Sequence, residues 1–201
     1  MEPYLWLSPA VKRYNLNTIP MVRALCLSYI ILTLLGLGLI RVLGGDHYAF
    51  DPLSLPSADW PVPLAAVLVM VMGVHLISVR AIKLLPSMTQ CANDIKHWLG
   101  NISGNQVLLI ALASGIGEEL FFRGWLMNEI GLFLSSLIFG LVHLPPNRNW
   151  RLWPLFAFII GLVLGTLCLW TNTLLFAVAA HAGINYLNLK FALSFEISKN
   201  K

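Results

Sequence analysis

The chain has 201 residues, 58% hydrophobic and 11% charged, with a formal net charge of +4 and a mean hydropathy of +0.76. A soluble domain averages about 45–50% apolar and about 25% charged residues, and one core of this size cannot bury so much apolar surface. The composition excludes a water-soluble globular protein, and the basic excess, which forms no stripe and accompanies no nucleic-acid motif, reads as topogenic charge.

From the N-terminus, Met1 to Pro20 does not read as a cleavable signal peptide. The first apolar run starts late, and the Arg41-Val-Leu-Gly-Gly that follows it offers no small-residue cleavage site. A span needs roughly 20 mainly apolar residues. Ala24–Ile40 is the first charge-free interval, closed by Arg23 and Arg41. Gly44–Pro63, rich in Pro, Asp and Ser, reads as an exposed loop. Trp60–Val79 is the second interval, between Asp59 and Arg80. A third run, Val107–Gly117, continues through Glu118, Glu119 and Arg123 to end near Met127, and Ile130–Asn147 is a short fourth. Leu152–Leu189 is too long for one span and breaks at Thr171-Asn172-Thr173 into a fifth and a sixth. The expected fold is all-α: a polytopic transmembrane helix bundle of about six spans.

With the N-terminus in the cytoplasm, the cytoplasmic side receives Lys12, Arg13, Arg23, Arg80, Lys83, Lys96, Arg148, Arg151, Lys190, Lys199 and Lys201. The outer side receives only Arg41, and Arg123 stays within the membrane, while Asp46, Asp51, Asp59 and Glu129 lie outside. This asymmetry orients both termini inward. Cys26, Cys91 and Cys168 are widely spaced and odd in number, so they suggest neither a disulfide framework nor a metal knuckle.

The informative segment is Gly117-Glu-Glu-Leu-Phe-Phe-Arg123. A charge at the centre of a spanning helix costs about 2.5–3.5 kcal/mol on insertion scales, so three in six residues must be paired or used. Glu119 and Arg123 are four apart with the acid first, the favourable order for an ion pair. That leaves Glu118, about 100° around the helix from Glu119, without a local partner. Two histidines offer themselves: His143, closing Phe139-Gly-Leu-Val-His143, and His181, opening His181-Ala-Gly-Ile-Asn185, where His181 and Asn185 share a face. Counted from the outer turns at about 1.5 Å per residue, Glu118 lies roughly 16 Å down, His143 roughly 21 Å, His181 roughly 14 Å and Asn185 roughly 20 Å. All four fall within about 7 Å of one level by the same rise.

These three segments resemble the CAAX protease and bacteriocin-processing family (CPBP, or Abi), which includes the type II CAAX prenyl endopeptidases. Its pattern is E-E-x-x-x-R, then F-x-x-x-H, then H-x-x-x-N or -D, and Glu118-Glu119…Arg123, Phe139…His143 and His181…Asn185 match it in order over about residues 106–190. The resemblance implies a glutamate-dependent intramembrane endopeptidase without an obligatory metal or other cofactor. Glu118 would be the general base, working with His143 on a water, His181 and Asn185 would donate to the oxyanion, and Glu119 and Arg123 would brace the site. Phe139 reads as packing beneath His143. A buried glutamate near neutral pKa and preorganised donors suit peptide hydrolysis.

Two other readings stand beside this one. Glu118, His143 and His181 with a water would make a three-ligand catalytic zinc site, although no H-E-x-x-H is present. A non-catalytic immunity factor or scaffold is the other, in which His181 and Asn185 would serve as polar glue between helices. The expected partners are the bilayer and a membrane-associated protein or peptide substrate, in a prokaryotic inner or plasma membrane. The expected organisation is an N-terminal part over residues 1–104 with two spans, a four-helix core over 105–195 carrying the motifs, and a tail over 196–201. His75 reads as a satisfied core histidine, and His47 and His97 as loop residues. Most of the Trp residues (Trp60, Trp98, Trp150, Trp153, Trp170) lie near interfaces. Gly161 and Gly165 form a G-x-x-x-G that reads as packing within the bundle.

Overall fold

The computed structural model describes residues 18–44, 48, 50–54, 60–144, 150 and 152–195. The topogenic Lys12, Arg13, Arg148, Arg151, Lys199 and Lys201, together with Asp46, Asp59, His47 and the 196–201 tail, lie outside the described residues. The regular structure of the described residues is all helical: α1 (Thr18–Leu43), α2 (Pro61–Leu84), α3 (Pro86–Leu99), α4 (Gly104–Glu118), a π-helical segment (Glu119–Leu126), α5 (Met127–Val142), α6 (Trp153–Thr171) and α7 (Leu175–Ser194).

The sequence marks most helix ends. Prolines occupy the first turns of α2, α3 and α6, where a missing N–H costs nothing. Ser103 and Gln106 cap α4 reciprocally: the Gln106 backbone N–H donates to the Ser103 hydroxyl, and the Ser103 N–H donates to Gln106 Oε1. Asn172 turns left-handed (φ 55°, ψ 30°) to end α6 at the expected break, and the Leu175 N–H then donates to the Thr173 hydroxyl at the start of α7.

Among the described residues, four apolar runs are long enough to cross a membrane: Met21–Leu43, Pro61–Leu84, Gly104–Val142 and Trp153–Thr171. The third, 39 residues long, exceeds the roughly 20 needed to cross, and it folds double at Gly131 (φ 82°, ψ 167°), a conformation only glycine adopts readily. The two arms then pack antiparallel, with the Phe122 and Phe139 rings 4.9 Å apart. Against the expected count of about six spans, these four runs, one of them a hairpin, stand beside α7, whose His181, Asn185, Asn188 and Lys190 make it the polar member. The fourth helix ends at Val142, short of the expected Asn147.

Two further expectations need correction. His97 lies on α3 and not in a loop. Residues 86–99 are too polar for a span, yet their apolar positions (Met88, Cys91, Ala92, Leu99) recur on one face, and that face is buried against the bundle. The second correction concerns the loop after α1, which is not wholly exposed. Phe50 is buried in the main core, the Ser54 hydroxyl donates to the Asn172 carbonyl at 2.6 Å, and the Thr173 hydroxyl donates to the Ser54 carbonyl at 2.8 Å.

α1 and α2 keep broad apolar faces outward, as lipid contact requires; Ile31, Leu34 and Val69 are each more than 60% exposed. The interior is built by α4, the π segment, α5, α6 and α7, with Leu164, Cys168, Ala177 and Ala180 fully buried. Among the described cationic residues, Arg23, Arg80, Lys83, Lys96 and Lys190 gather towards the end of the bundle closed by α3, and Arg41 sits at the other.

Candidate active site

The two adjacent glutamates point different ways, as neighbours about 100° apart around a helix must, and the helix changes type between them. Glu118 is the last residue of α4 and Glu119 opens the π segment, whose wider turn is seen where the Met127 N–H donates back to the Phe122 carbonyl. Glu118 faces a cavity, while Glu119 and Arg123 point into the protein, 0% and 1% exposed respectively. Isolated charges at such depth would cost several kcal/mol each. Arg123 Nη1 donates to Glu119 Oε1 at 2.8 Å, and the guanidinium lies 4.2 Å from the Phe139 ring centroid.

Glu118 Oε2 lies 3.9 Å from His143 Nε2 and 3.7 Å from His181 Nε2. These separations are too long for direct hydrogen bonds and suit a small guest between the three groups. The other nitrogen of each imidazole is already committed. His143 Nδ1 donates to the Phe139 carbonyl at 2.6 Å, and the two rings lie tilted at 55° with centroids 4.5 Å apart. The F-x-x-x-H spacing therefore has a local cause: four residues back from His143 is a carbonyl at the C-terminal end of α5 that lacks a helical partner. His181 Nδ1 donates to Glu119 Oε1 at 2.7 Å. Both imidazoles consequently turn Nε2 towards Glu118.

The cavity has a volume of about 290 Å³ and reaches from Glu118, His143 and His181 to the inner face of α3. Its walls are mainly apolar, and its polar groups stand on a line: Asn185, one turn from His181, donates to the Ser114 hydroxyl at 2.8 Å, and Asn188 follows one turn further. Close helix contact shapes the site as well. A Cβ on Gly117 would come within 2.8 Å of the Tyr29 carbonyl, so the glycine brings α1 against α4 beside Glu118.

The structure thus brings Glu118, His143 and His181 together, places Asn185 beside them on Ser114, and sets Glu119, Arg123 and Phe139 behind them. Sequence reasoning missed Tyr29, Ser114 and Asn188. Ser114 is four residues before Glu118 and Asn188 is seven after His181, so helical spacing alone could have pointed to both. Tyr29, whose hydroxyl interacts with Glu118, lies on α1 outside any motif and carries no such signal. His75 hydrogen-bonds Asn188 Oδ1 at 2.9 Å. Gly161 and Gly165 pack inward against Ser136 and Leu132 respectively. Among the described residues no cluster of three or more His, Cys, Asp or Glu side chains is spaced to hold a metal ion.

Fold and site together define a polytopic helical membrane protein with a buried glutamate–histidine centre opening on an apolar cavity. Residues 103–187 match the family model described as Type II CAAX prenyl endopeptidase Rce1-like, in line with the family that the three motifs resemble. The chain is also similar to the "Uncharacterized protein YpbD" of Bacillus subtilis (strain 168), with 33% identity over 75 residues. That match spans 37% of this chain and 39% of the relative's length. No solved structure matches.

Proposed function

We propose that the chain is a glutamate-dependent intramembrane endopeptidase that hydrolyses a peptide bond in a membrane-associated protein or peptide. The observation that best supports this reading is the convergence of Glu118 Oε2 with both imidazole Nε2 atoms, 3.7 and 3.9 Å away, at the polar end of an apolar cavity. A water between Glu118 and His143 loses a proton to them as its oxygen attacks the scissile carbonyl, and the proton passes on to the leaving amine. General acid–base catalysis of this kind contributes about 10²–10⁴-fold.

His181 and Asn185 supply donors to the oxyanion. His181 Nδ1 stays on Glu119 and leaves Nε2 as the atom that faces the oxyanion. Removing one such donor costs about 10²–10³-fold in comparable sites. The catalytic core is assigned to residues 105–195, with α1, α2 and α3 walling its cavity. The basic end is assigned to the cytoplasm of a prokaryotic cell. Prenylated C-terminal peptides, bacteriocin precursors and membrane-anchored leader or sorting segments are the candidate substrate classes.

A comparison of membrane proteomes from cells carrying the native protein or Glu118→Gln tests this reading. At least one membrane-associated protein should accumulate uncut in the variant; identical proteomes, with Glu118→Gln stably expressed, would overturn the assignment. Once a substrate is in hand, cleavage that survives a strong chelator supports the metal-free mechanism. Cleavage that is lost and then restored by zinc supports a zinc peptidase, for which the Nδ1 partners Phe139 and Glu119 would be the outer shell of two histidine ligands. A phenotype untouched by alanine at Glu118, His143 and His181 together indicates a scaffold.

A further inference from the structure

A second hydrogen-bonded cluster, on α2 and α7, has no part in the chemistry above. Asn188 Nδ2 donates to the Ser78 hydroxyl at 3.0 Å, and Asn188 Oδ1 accepts from His75 Nδ1 at 2.9 Å. The His75 ring stands edge-on to Phe191. Asn188 and Ser78 both line the cavity, near the basic end of the bundle.

We infer that Asn188, held in place by His75 and Ser78, is the polar station through which water reaches the buried Glu118 centre from the basic end. The inference rests on the hydrolytic reading of that centre, but its test measures water access and not proteolysis. Hydrolysis consumes one water per bond cut, at a centre enclosed by apolar helices. Towards the Asn172 end the route is closed by the fully buried Leu164, Ala177 and Ala180 and by the hydrogen-bonded turn at Ser54. Among the described residues the cavity offers an approach from the basic end, past Asn188 and Asn185 to Glu118, alongside the partly exposed His143; a cavity with apolar walls alone stays dry, because each water needs two to four polar partners.

The polar groups are spaced as such a path requires. Along α7, Asn188 to Asn185 is about 4.5 Å and Asn185 to His181 about 6 Å of rise. One bridging water spans about 5.5 Å between two polar atoms. Asn188 has one amide hydrogen on Ser78 and keeps a second, and the Ser78 hydroxyl can still donate. With its carbonyl taken by His75, the Asn188 amide group is fixed with its donor side towards Ser78. A cluster serving only as glue between α2 and α7 would have no need to line the cavity.

The test uses the full chain in membrane vesicles, with Cys26→Ala, Cys91→Ala and Cys168→Ala as background. Ser114→Cys reports the deep end of the cavity and Ala192→Cys the basic end. A cationic, membrane-impermeant methanethiosulfonate is applied to one face at a time. Ser114→Cys should react from the basic face. Its reaction should slow about tenfold in Asn188→Leu and in Ser78→Val, which each remove a hydrogen-bonding station, and recover in Asn188→Ser. Ala192→Cys should react at an unchanged rate throughout. The inference is overturned if Ser114→Cys reacts equally fast with Asn188→Leu, reacts from the opposite face, or does not react with Asn188 intact. Should Asn188→Leu fail to fold, Ser78→Val decides by the same readout.

Discussion

Glu119 and His181, 62 positions apart in sequence, are joined by a 2.7 Å hydrogen bond from imidazole Nδ1 to carboxylate Oε1, and that same oxygen accepts from Arg123 Nη1 at 2.8 Å. One buried oxygen therefore holds an arginine on its own helix and a histidine on another. The E-E-x-x-x-R segment is thereby locked to the H-x-x-x-N segment, and His181 is left with Nε2 directed at Glu118. Glu119 orients the site without touching the reacting atoms.

Replacing Glu118 with glutamine keeps the shape of the side chain and removes the base. Cleavage should fall by about 10²–10⁴-fold, the usual contribution of a general base, while the thermal unfolding midpoint in detergent moves little. A variant that cuts at the native rate would exclude Glu118 as the base.

Glu119→Ala should behave differently, because it strands Arg123 at 1% exposure. Breaking a buried ion pair from one side typically costs about 3–5 kcal/mol, so folded protein should drop sharply. Combining it with Arg123→Met should restore much of the stability, since an uncompensated buried charge is then gone, but not the activity, since His181 has lost its partner. Equal stability of the single and double variants, read by thermal denaturation, would contradict this account.

Gly131 and Gly161 separate two kinds of glycine dependence. At Gly131 a Cβ would meet nothing within 4 Å, but φ is 82°, so Gly131→Ala should cost about 1–3 kcal/mol through backbone strain alone. At Gly161 a Cβ would lie 3.1 Å from Ser136 Cβ and 3.3 Å from Arg123 Nη2. Gly161→Val should therefore overpack the site and cost about 1–3 kcal/mol together with activity. Paired stability and activity measurements should show Gly131→Ala retaining the greater turnover per folded molecule.

Gly117→Ala tests the contact between α1 and α4. The new methyl would press on the Tyr29 carbonyl at 2.8 Å, so α1 must retreat beside Glu118. A loss of about 1–3 kcal/mol is expected, the range for forcing an extra carbon into a packed interface. An engineered disulfide between α1 and α4 should form less readily in the variant; unchanged cross-linking would show that α1 has not moved.

The sequence determined by itself what depends on composition and spacing. So many apolar residues demand lipid, charge-free runs of about 20 residues demand helices across it, and Asn172 marks a break that propensity alone explains. The i, i+4 relation of Glu119 to Arg123 is likewise local, and the motifs named the polar residues worth following. What only the tertiary structure decided are relations between segments: which imidazole meets which carboxylate, the sharing of Glu119 between Arg123 and His181, the place of Tyr29 in the cavity wall, and the folding double of a 39-residue run at Gly131. The π segment that begins at Glu119, and α3 closing the cavity, belong to the same group. Helix period and hydropathy act over a few residues along one chain segment. Burial against another helix, the pairing of charges that lipid will not solvate, and the close approach glycine permits arise only when distant segments meet.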